Sequence, residues 1–205
     1  PDVANALHAI RQAVYERKLL TLNQLVDLLK ANWEGNEPLR QTMRNSITYY
    51  GNDDPEADAM MRRVYDDYVD FVGQYRSPDG YLHPAGISTF GRQIKWAPER
   101  MATPDGHRAG EFLSHNIDPT PGTDLKGATA VIKSYAKLDM KKLPGGTALT
   151  IKLLPAVLRG EEGTEALESL LRGFLILGGF FLQPDVIDTQ ALLDAQKHPE
   201  RYESL

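Results

Sequence analysis

The chain has 205 residues, is 41% hydrophobic and 25% charged, and carries a formal net charge of −5 at pH 7. The absence of cysteine excludes disulfides, thiolate zinc sites and a cysteine nucleophile within these residues, and the 23 scattered lysines and arginines argue against a nucleic-acid partner. No apolar run approaches the roughly 18 residues that span a bilayer, so we expect a cytoplasmic protein without a membrane partner.

The first third of the chain is predicted to be helical. Apolar residues recur at helical spacing over residues 3–14. Thr21 and Gln24 have the spacing of a capping box, which predicts the start of a second helix that Gly35 ends. A short helix is expected after Pro38. The apolar stripes of these helices are typical of packing against a core.

A longer helix is predicted over residues 54–75, because Asp54 and Pro55 form a cap and first-turn pair. Helical periodicity predicts that its buried face consists of Ala57, Met61, Val64, Tyr68, Phe71 and Tyr75. The expected role of this face is again core packing.

After the turn at residues 77–80, strands and helices alternate. The predicted strands cover residues 85–90, 147–154 and 180–187, and the predicted helices cover residues 128–138 and 164–177, with a last helix capped by Asp188. A long loop rich in proline and glycine is expected between residues 97 and 127. This alternation predicts parallel strands with right-handed crossovers. Three such strands cannot close a barrel, and we therefore expect a piece of a larger α/β architecture.

Signatures of common enzyme classes are missing. The chain has no phosphate-binding loop, dinucleotide fingerprint or H-E-x-x-H zinc motif. Its five histidines show no metal-ligand spacing, so no metal or other cofactor is expected within these residues. A hydrolase using Ser88 with His83 or His115 is a weak alternative, because no nucleophile elbow accompanies the serine.

Residues 102–139 carry the most informative pattern. The run ATPDGHRAGE…DPTPGTDLKGATAVIKSYAKLD resembles the block TPDGR-AGEP…SP-G-D--GPTA-LKS-AKLD of glycyl radical enzymes, the pyruvate formate-lyase family. The similarity continues through GGTALTIKLLPAVL, LGGFFLQPDVID and LLDAQKHPERYESL, and it extends upstream through the helical third. The chain departs from the family at His107, where arginine is usual, at Phe112 and Ala128, where proline is common, and over the run LQPDV at residues 182–186.

This resemblance implies a fold and a cofactor. The fold is a ten-stranded α/β barrel built from two halves, with residues 1–80 as a helical segment and residues 81–205 as part of a βα half-barrel. The cofactor is a glycyl radical that a radical-SAM activating enzyme installs and that generates a thiyl radical on a facing cysteine. The family's glycine lies just after the stretch that matches residues 194–205, and its cysteine loop lies upstream of Pro1. We therefore expect a processed, excised or partial chain that is inactive by itself.

The resemblance also implies a substrate site. It suggests that the strand after residues 81–84 lines the barrel interior, where alternation places Ser88, Phe90 and Arg92 on one side as substrate-binding candidates. An inward Arg92 would bind an anionic group of the substrate. In the alternative, Arg92 lies past the strand end and pairs with Glu99 or Asp105.

The expected parent is a radical lyase, dehydratase or decarboxylase, or an enzyme like formate C-acetyltransferase, that acts on a small organic substrate. We expect it to be a homo-oligomer. The rival interpretation is a non-catalytic accessory module that binds a partner chain. The sequence does not distinguish between substrates, because most pocket residues would come from other parts of the parent.

Overall fold

A computed structural model describes residues 1–89 and 91–202 of the chain. Its α-helices are α1 (Asp2–Ile10), α2 (Leu22–Lys30), α3 (Glu37–Asn45), α4 (Pro55–Gln74), α5 (Arg92–Trp96), α6 (Gly127–Tyr135), α7 (Gly160–Ile176) and α8 (Thr189–Lys197). Its strands are β1 (Leu149–Leu153) and β2 (Leu182–Val186). Within the described residues, none of these helices combines the length and apolar character that crossing a membrane requires.

Three of the predicted helix starts are confirmed by their side-chain caps. The Thr21 hydroxyl accepts the Gln24 amide, and the Gln24 side chain accepts the Thr21 amide at 2.8 Å, which completes the capping box of α2. Asp54 accepts two amides in the first turn of α4, and Asp188 accepts one in α8. Each cap satisfies amide groups that have no partner within the helix itself.

The prediction for the buried face of α4 is wrong in its second half. The buried residues are Ala57, Asp58, Met61, Tyr65 and Val69, whereas Phe71 is 76% exposed and Tyr75 is 57% exposed. The buried residues of α4 recur every four residues. Since each residue turns the helix by about 100°, each such repeat is displaced by about 40° around the helix axis. The buried stripe therefore winds around α4, as expected for a helix that crosses its neighbours at an angle.

The sheet confirms two of the three predicted strands. β1 and β2 are parallel, with Leu149 opposite Leu182 and Leu153 opposite Val186. The strand predicted over residues 85–90 is wrong for its described part, residues 85–89, where one parallel bridge joins Gly86 to Gly146. Beyond this bridge, the Thr89 amide donates to the side chain of Asn116 in an intervening loop rather than to a strand partner.

One face of the sheet packs on helices to form the main core. Leu149 and Ile151 of β1 contact a cluster that contains Val131 and Tyr135 of α6 and Phe174 of α7. The same cluster takes in apolar residues from the N-terminal part of the chain, among them Ala4, Tyr50, Met61, Tyr65 and Val69. A second cluster surrounds Trp33, which is fully buried. The division into residues 1–80 and 81–205 stays a prediction.

Candidate functional site

The three predicted substrate-binding residues do not share a strand face in the described part of the chain. Ser88 is exposed and lies two residues after the Gly86 bridge. Arg92 is also exposed, because it begins α5 rather than continuing a strand, and its guanidinium carbon lies 6.0 Å from the centroid of the Trp96 ring. Phe90 lies outside the described residues. Their role in substrate binding stays a prediction.

Asp105, one of the two acidic residues expected to pair with Arg92 in the alternative interpretation, contacts His107 instead. Asp105 is buried, and its carboxylate lies 3.1 Å from Nδ1 of His107. Among the described residues, no ion pair joins Arg92 to Asp105 or to Glu99. The backbone amide of Arg92 donates to the Thr89 carbonyl at 3.0 Å, and its side chain lies over the Trp96 ring.

Residues 116 and 118 of the long loop bridge residues 86–89 and β1 by hydrogen bonds. The backbone amide of Thr89 donates to Oδ1 of Asn116 at 2.9 Å, and the backbone amide of Asn116 donates to Oγ1 of Thr89 at 3.0 Å. Two residues further on, Oδ1 of Asp118 accepts the Thr150 amide at 2.7 Å. Asn116 thus binds residues 86–89, and Asp118 binds β1. We call this pair the 116/118 clamp.

The backbone of the clamp is held in an unusual conformation. Asn116 has a φ of +52°, in the left-handed region that asparagine tolerates better than most residues. The Asp118 amide donates to the carbonyl of His115 at 2.9 Å and closes a turn. Ile117, between the two clamp residues, is fully buried in the main core. The loop is therefore anchored by packing as well as by hydrogen bonds.

Asp118 lies on the wall of a cavity of about 280 Å³. Burial raises the pKa of Asp118 to about 6, even though its carboxylate accepts the Thr150 amide. His115 and Lys152 also line the cavity, and Nδ1 of His115 lies 3.6 Å from Oδ2 of Asp118. A carboxyl group that changes its protonation near neutral pH beside a cavity is suited to binding or proton exchange.

The sheet face opposite the core is polar. Thr150 lies opposite Gln183, and Lys152 lies opposite Asp185. Because side chains alternate along a strand, these four residues share one face, and Gln183 donates to Asp185 at 3.2 Å. Across residues 1–89 and 91–202, no three His, Cys, Asp or Glu side chains gather closely enough to hold a metal ion.

The sequence did not identify Asn116 and Asp118 as site residues. Both lie in the loop that carries the family resemblance, but no spacing rule pairs them with Thr89 or Thr150, which are 27 and 32 residues away. The available signal was the length of the loop, because long loops in compact domains are often functional.

Comparisons with known proteins agree with this architecture. The family model described as “Pyruvate formate lyase-like” matches residues 1–96, and the one described as “Glycine radical” matches residues 113–205. A probable dehydratase of Escherichia coli (strain K12) is 36% identical over 100% of the chain and 26% of its own length. Trans-4-hydroxy-L-proline dehydratase of Clostridioides difficile is 33% identical over 99% of the chain and 26% of its own length.

Solved structures show the same similarity. The Clostridioides difficile hydroxyproline dehydratase matches with a TM-score of 0.93 and 33% identity over 100% of this chain and 26% of its own. The glycerol dehydratase of Clostridium butyricum matches with a TM-score of 0.91 and 31% identity over the same shares. The chain spans about a quarter of the length of these relatives, and the predicted α/β fold class is confirmed. With its helical part and its strand–helix part each matched by a family model, the chain belongs to the glycyl radical enzyme family.

Proposed function

We propose that the whole protein containing this chain is a glycyl radical dehydratase that removes water from a small hydroxylated substrate. The observation that carries the proposal is the match, over the whole chain, to the hydroxyproline and glycerol dehydratase structures. The 36% identity to a probable dehydratase supports the same reaction. An activity like that of formate C-acetyltransferase is the less favoured possibility within the family.

The radical and its partners are part of this proposal. The match to the glycine radical model supports a glycyl radical in the whole protein. When present, that radical supplies the hydrogen-atom abstraction that starts the reaction. A radical-SAM activating enzyme would install it, the protein would be a homo-oligomer, and its compartment would be the cytoplasm.

Ser88, Phe90 and Arg92 are the proposed substrate-binding residues. Exposure of Ser88 and Arg92 supports this assignment, because both side chains are accessible next to the 116/118 clamp. Ser88 offers a hydroxyl group that both donates and accepts, which suits a hydroxylated substrate. Arg92 offers a planar cation for a carboxylate, as in hydroxyproline.

The proposal is tested on the whole protein, purified without oxygen. After incubation with an activating enzyme, a reductant and S-adenosylmethionine, we expect the doublet of a glycyl radical in the EPR spectrum. We then expect loss of water from trans-4-hydroxy-L-proline, glycerol or 1,2-propanediol. Release of sulfite from isethionate instead would indicate a C–S lyase, and formate produced from pyruvate and coenzyme A would indicate the acetyltransferase. Absence of the radical would favour the accessory-module interpretation.

A further inference from the structure

Residues 86–89 separate from the sheet after a single bridge. The Ile87 amide donates to the Gly146 carbonyl at 3.0 Å, and the Gly145 amide donates to the Ala85 carbonyl at 2.7 Å. Three residues beyond the bridge, the amide and hydroxyl of Thr89 both bond to Asn116, while the Thr89 carbonyl accepts the Arg92 amide at 3.0 Å. The path of residues 86–89 is therefore fixed at Thr89 by Asn116 of another loop.

Asn116 is itself fixed relative to β1. Its side chain is 3% exposed, and the neighbouring Ile117 is fully buried in the main core. Asp118 binds the Thr150 amide of β1 at 2.7 Å. Asn116 and Asp118 are separated only by the buried Ile117, so the position of Asn116 is fixed relative to β1. A displacement of Asn116 would therefore move Thr89 with respect to β1.

We infer that Asn116 is a positioning residue: through Thr89 it holds the segment that carries Ser88 and Arg92 against β1 and so sets the substrate affinity of the whole protein. This inference rests on the proposed function. Asn116 does not touch the substrate; it acts through two hydrogen bonds to Thr89. Small displacements of substrate-positioning groups have large kinetic effects, which is why this arrangement matters.

Two substitutions separate the side chain of Asn116 from its backbone. Asn116→Gly removes the Oδ1 that accepts the Thr89 amide and retains the backbone amide that donates to Oγ1 of Thr89. It keeps the left-handed conformation accessible, because glycine adopts positive φ without strain. Asn116→Asp keeps a short side chain whose oxygen accepts the Thr89 amide, so it is the conservative variant that should rescue the effect.

Asn32 offers a matched control. It has the same φ of +52°, and its Oδ1 also accepts a backbone amide of another loop, that of Ala109 at 2.7 Å. Asn32→Gly therefore removes the same chemistry from the same backbone conformation, at a point that contacts residues 108 and 109 rather than Thr89.

The first measurement is amide hydrogen exchange of residues 86–92 in the whole protein. We expect Asn116→Gly to accelerate exchange of this segment at least about tenfold, Asn116→Asp to restore slow exchange, and Asn32→Gly to leave it unchanged. Unchanged exchange in Asn116→Gly would overturn the inference. This readout needs no radical, so it tests the clamp even if the proposed function fails.

The second measurement is steady-state kinetics of the activated protein. We expect Asn116→Gly to raise KM at least about fivefold, with kcat and the EPR radical yield changed less than about twofold, and Asn116→Asp to return KM towards the original value. An unchanged KM despite accelerated exchange would overturn the link to substrate affinity, and so would an equal rise in KM in Asn32→Gly.

Discussion

Nδ1 of His107 lies 3.1 Å from Oδ2 of Asp105, and Nε2 of the same ring lies 3.2 Å from the carbonyl oxygen of Pro121. Both ring nitrogens thus face acceptors, an arrangement that suits the doubly protonated ring. Burial alone would lower the pKa of His107, but the hydrogen bond and charge of Asp105 outweigh it, and the pKa is raised. Arg44 is the nearby cation that opposes the protonated form.

We predict that the loop around His107 loses stability as the pH rises. A raised histidine pKa contributes stability that is complete below about 6.5, the value of an unfolded chain, and is lost as the pH passes the higher folded value. His107→Gln removes the charge and should make the protection of the Gly106 amide, measured by hydrogen exchange, independent of pH in this range. The control is His198→Gln, because the His198 side chain is 43% exposed whereas His107 is buried. A pH-dependent loss that persists in His107→Gln would contradict the prediction.

Asp118→Asn should stabilise the whole protein above pH 6. The raised pKa means that the native state binds this proton more tightly than the unfolded chain, so ionisation costs stability as the pH rises from about 4 to above 6. An amide avoids this cost and still accepts the Thr150 amide. We expect a gain of no more than about 3 kcal/mol at pH 8, measured by chemical denaturation.

Asp53→Asn is the control, because we expect it to change the free energy of unfolding in the opposite direction. The hydrogen bond from Lys137 lowers the pKa of Asp53, so its ionised form adds stability at neutral pH that is lost as the pH falls. We expect this variant to be less stable than the original protein at pH 8. Destabilisation by both variants at pH 8 would show that burial does not dominate at Asp118.

Gly145→Ala should open the junction between residues 85–89 and the sheet. A Cβ at Gly145 would lie 2.6 Å from the Ala85 carbonyl oxygen, so the backbone has to move. We expect a loss of about 2–3 kcal/mol in the free energy of unfolding. Gly173→Ala in α7 is the control, since a Cβ there meets nothing within 4 Å. It should stabilise by up to about 1 kcal/mol. Equal stability of the two variants would contradict the tight contact.

Arg92→Ala tests the proposed anion-binding role. Because Arg92 is exposed, we expect the substitution to leave the stability of the whole protein almost unchanged. If Arg92 binds an anionic substrate, kcat/KM falls at least about tenfold, or about 1.4 kcal/mol. Arg92→Lys should recover only part of the loss, because lysine lacks the planar fork of arginine. Unchanged kinetics in Arg92→Ala would remove Arg92 from the substrate site.

The 205-residue chain, prepared by itself, should self-associate. Large apolar side chains are exposed along the end of α7 and before β2, among them Leu175 (68%), Ile176 (84%) and Phe180 (62%). Surfaces of this kind favour association with other chains. Sedimentation at micromolar concentration should show oligomers. A monomer that unfolds cooperatively and binds no hydrophobic dye would contradict this expectation.

The sequence by itself determined the parts of the fold that depend on local signals. Thr21, Asp54 and Asp188 each cap a helix within three residues of their own position, so short-range chemistry is enough to predict them. The parallel pairing of β1 and β2 followed from the helix that separates them, because a parallel strand needs a long crossover. The ordered blocks of residues 102–205 also sufficed for the family.

Only the tertiary structure decided what happens between these elements. Residues 85–89 make one bridge and bond to the 116/118 clamp instead of forming the predicted strand. The buried face of α4 does not include Phe71. Asn116 meets Thr89 across 27 residues, and Asp118 meets Thr150 across 32. Contacts at such separations depend on how helices and loops pack around the common core, and no local propensity or spacing encodes them.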